Sequence, residues 1–328
     1  MSAAGTENKI PLLVVVGPTA SGKTALAVTL ARRYHGEVVS ADSMQIYMGM
    51  NIATAKPDPS EMNGVRHHLM DFLPPDVRYS VADFVRDARA CIADLFRAQI
   101  LPVVAGGTGL YVDSLIHNIQ YAEIPADGQV RSRLEARAQR EGTAGMLREL
   151  AEIDPEAASR LHENDQKRII RALEIYQVSG VTMTEYNRRS RAVESPYLPF
   201  IIGLQARDRS VLYDRIDRRV DQMVQSGLIE EARAFFASAY SATAVQAIGY
   251  KELRPYFSGA LSLEQAVEDI KRETRRYAKR QLSWFRRNPD INWFYLDDYS
   301  SAAEMAEAVC TAIEKRCDFI GGKKEKEK

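Results

Sequence analysis

Residues 12–24 read Leu-Leu-Val-Val-Val-Gly-Pro-Thr-Ala-Ser-Gly-Lys-Thr. The apolar run predicts a buried strand, the glycine-rich part matches the pattern G-x-x-x-x-G-K-[ST], and residues 24–34 predict a helix directly after it. A loop in this setting binds phosphate because its glycines let successive backbone N–H groups turn inward beside a helix N-terminus. Lys23 would add a mobile positive charge, and Thr24 would offer a hydroxyl to Mg²⁺. The stretch therefore predicts a phosphate-binding loop, without indicating which molecule carries the phosphates: Gly17, Pro18, Thr19, Ala20, Ser21, Gly22, Lys23 and Thr24.

Four more apolar runs predict strands, at residues 37–40, 101–105, 200–204 and 291–296. Continuous apolar strands that alternate with helices predict an α/β fold, with a parallel sheet covered by helices on both faces. Ligands of such sheets bind at the carboxyl ends of the strands. We therefore expect the phosphate-binding loop, Asp42-Ser43 and the Gly106-Gly107-Thr108 turn, all of which follow predicted strands, to line one cleft.

The pattern changes between about residues 125 and 199, where strand-like runs give way to arginine-bearing helices. An all-helical insertion into an α/β core explains this change. The predicted parts are the first half of the core at 10–124, the insertion at 125–198, the second half of the core with a basic helical region at 199–318, and a disordered tail at 319–328.

Composition limits the classes of function. Lysine plus arginine and aspartate plus glutamate number 44 each, so any surface for a polyanion must be local. The three cysteines, Cys91, Cys310 and Cys317, form neither a disulfide framework nor a zinc-binding pattern. Residues 1–9 lack the apolar stretch of a secretory signal, and no run reaches the ~18 apolar residues of a membrane span. These features predict a cytoplasmic protein without a membrane partner.

Asp42 ends the apolar run at residues 38–41 and allows three interpretations. It could cap a turn, as carboxylates at such positions often do. It could hold Mg²⁺ in the manner of an NTPase or a kinase. It could also be a general base for an acceptor that lies against the phosphate site. The pattern alone does not separate the last two.

The glycine-rich turn at Gly106–Tyr111 is either a tight connection or a place where a ligand approaches the backbone, with Thr108 as a hydrogen-bonding wall. Arg215 and Arg219 lie four residues apart, either in a local ion-pair network or as an anion clamp. His67 and His68 are adjacent and would point in opposite directions, so a shared metal site is not expected. We interpret the two histidines as structural or pocket-lining.

Two basic segments indicate a polyanion. Lys167, Arg168 and Arg171 would share one face of an insertion helix, which is either a solvated surface or a phosphate contact. The segment 271–287 contains eight basic residues interleaved with Tyr277, Trp284 and Phe285. Such local segregation in a chain of zero net charge favours a nucleic acid as partner.

These motifs together resemble the bacterial tRNA dimethylallyltransferases, enzymes that prenylate an adenine next to the anticodon. The resemblance runs in order from about residue 10 to 290 and is carried by the following stretches: Gly17–Thr24, Asp42–Tyr47 with Gly49-Met50, Thr54–Pro57, His67–Leu69, Gly106–Tyr111, Asp165–Glu174, Gln246–Glu252 and Tyr277–Arg286. The chain departs from the family at Asn51, Ala53 and Ser283, where aspartate, glycine and threonine are usual; none of these positions belongs to the expected chemistry.

The resemblance implies that the loop binds the diphosphate of dimethylallyl diphosphate, gripped by Thr19, Lys23 and Arg219, with Mg²⁺ placed by Thr24. Asp42 would take a proton from the exocyclic amine (N6) of the adenine 3′ of the anticodon, and the target base would be flipped into the cleft. The insertion would clasp the anticodon stem. The positions that would contact tRNA are Asp42, Ser43, Met44, Gln45, Thr108, Arg131, Lys167, Arg168, Ile169, Ile170, Arg171, Gln246, Gly249, Tyr250 and Lys251.

Other classes remain open at this stage. An ATP-dependent small-molecule kinase would explain the core but leave the basic helices without a role. A non-enzymatic RNA-binding switch, gated by a bound nucleotide, would use both the phosphate-binding core and the basic helices. Mg²⁺ is the only cofactor that we expect, and the expected oligomeric state is a monomer.

Overall fold

A computed structural model describes residues 9–121 and 128–316, so the predicted tail and Cys317 lie outside the described residues. The strands are β1 Ile10–Val16, β2 Gly36–Ser40, β3 His67–His68, β4 Leu101–Gly106, β5 Tyr197–Gln205 and β6 Asn292–Tyr295. The α-helices are α1 Lys23–Arg33, α2 Pro59–Met62, α3 Val81–Arg97, α4 Gly109–Ile116, α5 Gly128–Glu141, α6 Ala144–Ile153, α7 Pro155–Ala158, α8 Gln166–Ser179, α9 Met183–Ser190, α10 Arg209–Gln225, α11 Leu228–Phe236, α12 Tyr250–Phe257, α13 Leu263–Phe285 and α14 Ala302–Lys315. The chain divides into two compact units, one formed by residues 1–116 with 196–328 and the other by residues 117–195.

The first unit contains a six-stranded sheet in the order β3-β2-β4-β1-β5-β6. Every strand pair is parallel, and β1 lies in the middle, with Val14 opposite Val104 on one side and Ile201 on the other. The side chains of residues 12–16 are fully buried, as expected for a strand that is covered on both faces. The predicted α/β fold with a parallel sheet is therefore confirmed.

Pro199 lies inside β5, although the predicted strand began only at residue 200. At this position β5 pairs with β1 alone, because β6 joins β5 only from Ile202 onward. A proline is tolerated where one side of a strand has no partner. The strand β3 was also missed, since it comprises only His67 and His68 and has no apolar run.

A second group of buried side chains packs away from the sheet, around helices α10 to α13. Its members include Tyr47 and Tyr250, both fully buried, together with Leu228 and Ile270. This cluster fixes α10 and α13, which carry Arg219 and Tyr277, against the loops that follow β2. No helix in the described parts of the chain is both long and apolar enough to cross a membrane.

The second unit, His117–Ser195, contains α5 to α9 around a core of Leu134, Met146, Ile169 and Leu173. The sequence had indicated an insertion at residues 125–198. The unit begins where α4 ends at Ile116 and stops just before β5. Asp154 caps α7 by accepting a hydrogen bond from the Ala157 amide.

Candidate active site

The phosphate-binding loop connects β1 to α1, as expected. Gly17 has a φ of 147°, and a Cβ there would lie 2.5 Å from the Leu204 carbonyl oxygen, so only glycine fits between the loop and β5. Lys23 is the first residue of α1, and its Nζ donates a hydrogen bond to the Pro18 carbonyl at 2.6 Å. The loop thus places a lysine amine and a helix N-terminus at the carboxyl end of the central strand.

A cavity of about 290 Å³ opens over this loop. Its wall combines loop residues with the ends of β2 and β4 and with side chains from α10 and α13, so the strand ends meet as the carboxyl-end rule predicts. The predicted site residues that line it are Thr19, Lys23, Thr24, Asp42, Ser43, Met44, Gln45, Arg219, Gln246, Gly249 and Lys251.

Asp42 uses one carboxylate oxygen in a turn and leaves the other free. Its Oδ1 accepts hydrogen bonds from the amides of Met44 at 2.8 Å and Gln45 at 3.3 Å. Its Oδ2 accepts none from the described residues. The turn-capping interpretation is therefore right for Oδ1, while Oδ2 is available to a group bound in the cavity.

Lys23, Arg219 and Asp42 form the charged centre of the cavity. Burial, the largest cause, and the Arg219 charge together lower the pKa of Lys23 to about 7, against the opposing effect of the Asp42 carboxylate. Burial also lowers the pKa of Arg219, against the charges of Glu61 and Asp42. Two basic side chains held partly out of water near a single carboxylate favour the binding of an anion, because the anion stabilises their charged forms.

Arg215 and Arg219 have different positions. Arg219 lines both the cavity over the loop and an adjoining surface pocket, whereas Arg215 lines only the adjoining pocket. Arg215 Nε donates a hydrogen bond to the Ala20 carbonyl at 2.8 Å. The geometry therefore favours Arg219 as the side chain that can touch an anion, and Arg215 as a brace for the loop backbone.

Known families match this chain along most of its length. A family model described as IPP transferase matches residues 45–288, and one described as isopentenyl transferase matches residues 10–73. The tRNA dimethylallyltransferase of Caldanaerobacter subterraneus is 44% identical over 313 residues, which cover 94% of this chain and 99% of that protein. The tRNA dimethylallyltransferase of Halalkalibacterium halodurans is 45% identical over 318 residues, covering 97% and 98%.

This chain belongs to the tRNA dimethylallyltransferase family. The tRNA isopentenylpyrophosphate transferase of Bacillus halodurans, a solved structure, has a TM-score of 0.69 at 43% identity and covers 94% of this chain and 98% of that one. A eukaryotic dimethylallyltransferase acting on tRNA has a TM-score of 0.78 at 26% identity, with coverages of 94% and 80%. The chain is thus a prenyltransferase with the P-loop-like α/β fold of this family, and the kinase alternative is not favoured.

The glycines of the Gly106–Tyr111 turn make room for the protein itself. A Cβ at Gly106 would lie 2.2 Å from the Ala41 carbonyl oxygen, and one at Gly109 would lie 2.2 Å from the Trp284 ring. Thr108 does not line the cavity; its Oγ1 accepts a hydrogen bond from the Ser43 amide at 3.0 Å. The tight-connection interpretation is therefore supported, but Gly106 and Gly107 also line the cavity, so a ligand there would approach their backbone. Thr108 positions Ser43 rather than forming a wall.

Replacing Gly109 with alanine is expected to destabilise the protein by about 1–3 kcal/mol, because the new methyl group must displace the Trp284 ring. Displacement would also disturb the hydrogen bond from Trp284 Nε1 to Asp113, which is 2.7 Å long. Chemical denaturation measures the loss. The matched control is Leu110→Ala at the next position, which is 45% exposed and should change stability by only about 0.5 kcal/mol. Equal effects of the two variants would contradict the packing role of Gly109.

Gln281 is a site residue that sequence reasoning missed. Its Oε1 accepts a hydrogen bond from the Thr19 amide, and its Nε2 donates one to the Gly107 carbonyl, both at 2.9 Å. One buried side chain of α13 therefore joins the phosphate-binding loop to the turn after β4. The available signal was its spacing, since Gln281 shares the buried face of α13 with Ala278 and Phe285, where a polar group needs partners.

The basic segment of α13 is less free than its sequence indicates. Four of its cations form ion pairs with carboxylates: Lys271 with Asp221, Arg272 with Asp269, Arg275 with Asp217, and Arg276 with Glu273. Arg287 stacks on Trp284 instead. Arg280 lines the cavity beside Tyr277. The pairs of Arg272 and Arg276 are exposed and hold these side chains weakly, so the ion pairs limit the expected polyanion surface mainly at Lys271 and Arg275.

Three predicted tRNA-contacting side chains are corrected by their burial. Ile169 and Ile170 belong to the core of the helical unit and are at most 2% exposed, so only the charged members of the segment 167–171 present side chains to solvent. Tyr250 is fully buried, and its hydroxyl donates to Glu231 at 2.9 Å. The family pattern indicates segments of the chain, without showing which side of a helix each residue occupies.

The two histidines are structural. His67 Nδ1 contacts the Val65 carbonyl at 3.0 Å, and His68 Nε2 contacts the Glu37 carboxylate at 2.5 Å. Neither histidine lines the cavity. No group of three or more histidine, cysteine or carboxylate side chains in the described ranges could hold a metal ion by itself.

The residues present nevertheless fit a Mg²⁺ ion whose ligands would come from both the protein and the diphosphate. The Thr24 hydroxyl, a hard oxygen donor, lines the cavity together with Lys23. Mg²⁺ commonly takes one or two protein oxygens and completes its octahedron with phosphate oxygens and water. A protein site with few carboxylates is the kind that this mode of binding uses.

Proposed function

We propose that this protein transfers a dimethylallyl group from dimethylallyl diphosphate to N6 of the adenine 3′ of the anticodon in tRNA. The supporting observation is that Lys23, Arg219 and Asp42 line one cavity at the phosphate-binding loop. An anion site and a carboxylate with a free oxygen are the two components that this reaction needs. Membership of the tRNA dimethylallyltransferase family supports the choice of tRNA as substrate.

In the proposed reaction the bond between the allylic carbon and the diphosphate oxygen breaks, and a bond from that carbon to the adenine nitrogen forms. Negative charge grows on the leaving diphosphate, where Lys23, Arg219 and the loop amides would stabilise it. Thr19 also lines the cavity and would contact the diphosphate through its side chain, since its backbone amide already donates to Gln281. Mg²⁺, held by Thr24 and the diphosphate, would supply further positive charge there.

Asp42 Oδ2 would take the proton that the exocyclic amine loses. This amine is a poor nucleophile because its lone pair is shared with the ring, so a positioned base lowers the barrier. The turn formed by Oδ1 with Met44 and Gln45 holds the carboxylate still, which favours transfer at one place. A base flipped out of its loop would have to enter this cavity to reach the carboxylate.

Gln246, Gly249 and Lys251 would contact the RNA at the cavity. Gln246 is exposed, and its amide can both donate to and accept from an adenine edge. Gly249 has a φ of 106°, and its amide donates to Glu252 Oε2 at 2.8 Å, so the backbone of this loop is held in place. In the helical unit, Arg131, Lys167, Arg168 and Arg171 would contact phosphates of the anticodon stem. The cytoplasm and a monomeric state remain predictions that accompany this proposal.

The experiment that tests the proposal is mass spectrometry of an anticodon stem-loop RNA after incubation with the protein, Mg²⁺ and dimethylallyl diphosphate. The expected result is the gain of one five-carbon group, located on the adenine 3′ of the anticodon. A stem-loop with guanine at this position is the matched control and should gain nothing. Recovery of the RNA without added mass, by a protein that binds it, would refute the transferase function.

A further inference from the structure

Glu174 is a buried carboxylate that the proposed chemistry does not use. It lies on α8 in the helical unit, and its side chain is 1% exposed. Its Oε1 is buried and has no hydrogen-bond partner among the described residues. Burial of an ionised carboxylate is costly unless cations and hydrogen bonds compensate for the lost water. Its cationic partners therefore indicate what the residue does.

Two arginines converge on the other oxygen of this carboxylate. Arg171 precedes Glu174 by one helical turn, and its Nη1 lies 2.9 Å from Glu174 Oε2. Arg131 comes from α5, and its Nη1 lies 3.5 Å from the same oxygen. The arginine side chains are 38% and 46% exposed. Each guanidinium thus has one nitrogen at the buried carboxylate and other N–H groups that remain available at the surface.

Arg131 also has an exposed acidic partner. Its Nε contacts Glu135 Oε1 at 3.2 Å, and the Glu135 side chain is 48% exposed. The same arginine is therefore held by one buried and one exposed carboxylate. Ion pairs between exposed residues contribute little to fixing a side chain, because solvent screens them and both partners stay mobile. The contact with Glu135 is the shorter one and is a hydrogen bond, but Glu174 is the acid whose own side chain is fixed by burial.

We infer that Glu174 is a positioning residue for tRNA binding: it holds Arg131 and Arg171 side by side, so that their remaining N–H groups form one phosphate-binding pair. This inference rests on the proposed assignment of the two arginines to tRNA phosphates. Two neighbouring guanidinium groups repel each other, and the buried carboxylate between them offsets this repulsion. Arginines held before binding also lose less side-chain entropy when they bind a phosphate.

A role of Glu174 through net charge alone and a role as a positioning residue predict opposite changes in RNA affinity when Glu174 is replaced. Removing any negative charge near a phosphate-binding surface should strengthen RNA binding if only the net charge counts. Removing Glu174 should weaken binding if the carboxylate positions the arginines. The variant Glu135→Gln removes one negative charge beside the same arginine without touching the buried site, and is therefore the matched control for Glu174→Gln.

The experiment measures the affinity of the full-length variants for an anticodon stem-loop RNA over a range of salt concentrations, together with steady-state kinetics. Glu174→Gln should raise Kd about tenfold and make the slope of log Kd against log salt shallower by about 1. It should raise KM for the RNA while leaving kcat and KM for dimethylallyl diphosphate unchanged. Glu135→Gln should leave Kd unchanged or lower it slightly.

A double-mutant cycle separates positioning from a general effect on the fold. In a protein that already carries Arg131→Gln and Arg171→Gln, the further change Glu174→Gln should not alter RNA affinity. If Glu174→Gln does not fold, Glu174→Asp tests the inference at constant net charge, because the shorter side chain should still weaken RNA binding.

Three results would overturn the inference. Glu174→Gln and Glu135→Gln could change RNA affinity equally, or Glu174→Gln could still weaken RNA binding by the same factor when both arginines are absent. Where Glu174→Asp is the variant tested, the contradicting result is a folded protein with unchanged RNA affinity. None of them would affect prenyl transfer itself, which the mass measurement tests independently.

Discussion

Replacing Asp42 with asparagine is expected to lower the rate of prenyl transfer at saturating substrates by about 10²–10⁴-fold, the usual contribution of a general base. Asparagine keeps an oxygen that can accept the hydrogen bonds from Met44 and Gln45, so the turn should survive. It removes the basic oxygen that faces the cavity. RNA affinity should therefore change little. A single-turnover assay with prebound stem-loop RNA, combined with a separate binding measurement, separates the two quantities.

Asp42→Ala serves as the comparison, because alanine loses both the base and the turn. Asparagine and alanine should reduce the rate to a similar extent, whereas only alanine should disturb the loop and the contacts that depend on it. Weakened RNA binding in Asp42→Asn with an unimpaired rate from the bound complex would exclude Asp42 as the base and leave it as a turn residue.

Replacing Arg219 with glutamine is expected to reduce the rate by about 10²–10³-fold, as the loss of one charge-stabilising donor does in other enzymes. Arg219 lines the cavity and lies close enough to Lys23 for its charge to depress the pKa of the lysine. The affinity for inorganic diphosphate, measured by calorimetry, should fall together with the rate, because the arginine would contact the leaving group both before and after the bond breaks.

The matched variant is Arg215→Gln, one turn earlier on the same helix. Arg215 holds the Ala20 carbonyl from outside the cavity, so its loss should loosen the loop and reduce the rate by about tenfold or less. A third variant, Arg218→Gln, changes an exposed arginine whose Nε donates to the Asp214 carbonyl, and it should behave as wild type. A larger loss in Arg215→Gln than in Arg219→Gln would reverse the two roles.

Much of the fold could be predicted because its decisive features are local. The apolar strands, the glycine-rich loop and the change to helices near residue 125 each occupy a short stretch of sequence. β3 could not be predicted, since two histidines at a sheet edge carry no periodic signal. The predicted start of β5 was too late because Pro199 argues against a strand. The sequence does not show that β6 leaves this end of β5 unpaired on one side, where a proline is tolerated.

The sequence could predict those parts of the candidate site that lie at the carboxyl ends of parallel strands, where ligands of such sheets bind. That rule brings Lys23 and Asp42 together without any knowledge of side-chain positions. It could not show whether Arg219 or Arg215 contacts the diphosphate, because the two lie one helical turn apart on the same side of α10. The ion pairs of α13 were equally hidden, since Asp217 and Asp221 lie on α10, about fifty residues away in the sequence.

The link made by Gln281 has a consequence for how this sequence can vary. A Cβ at position 107 would lie 2.1 Å from Gln281 Nε2, so the absence of a side chain at Gly107 and the presence of an amide at position 281 depend on each other. Changing either residue alone removes a contact or creates a clash. The two positions, 174 residues apart, are therefore coupled: a side chain at position 107 would have to displace the Gln281 amide, which would break its hydrogen bond to the backbone at that position.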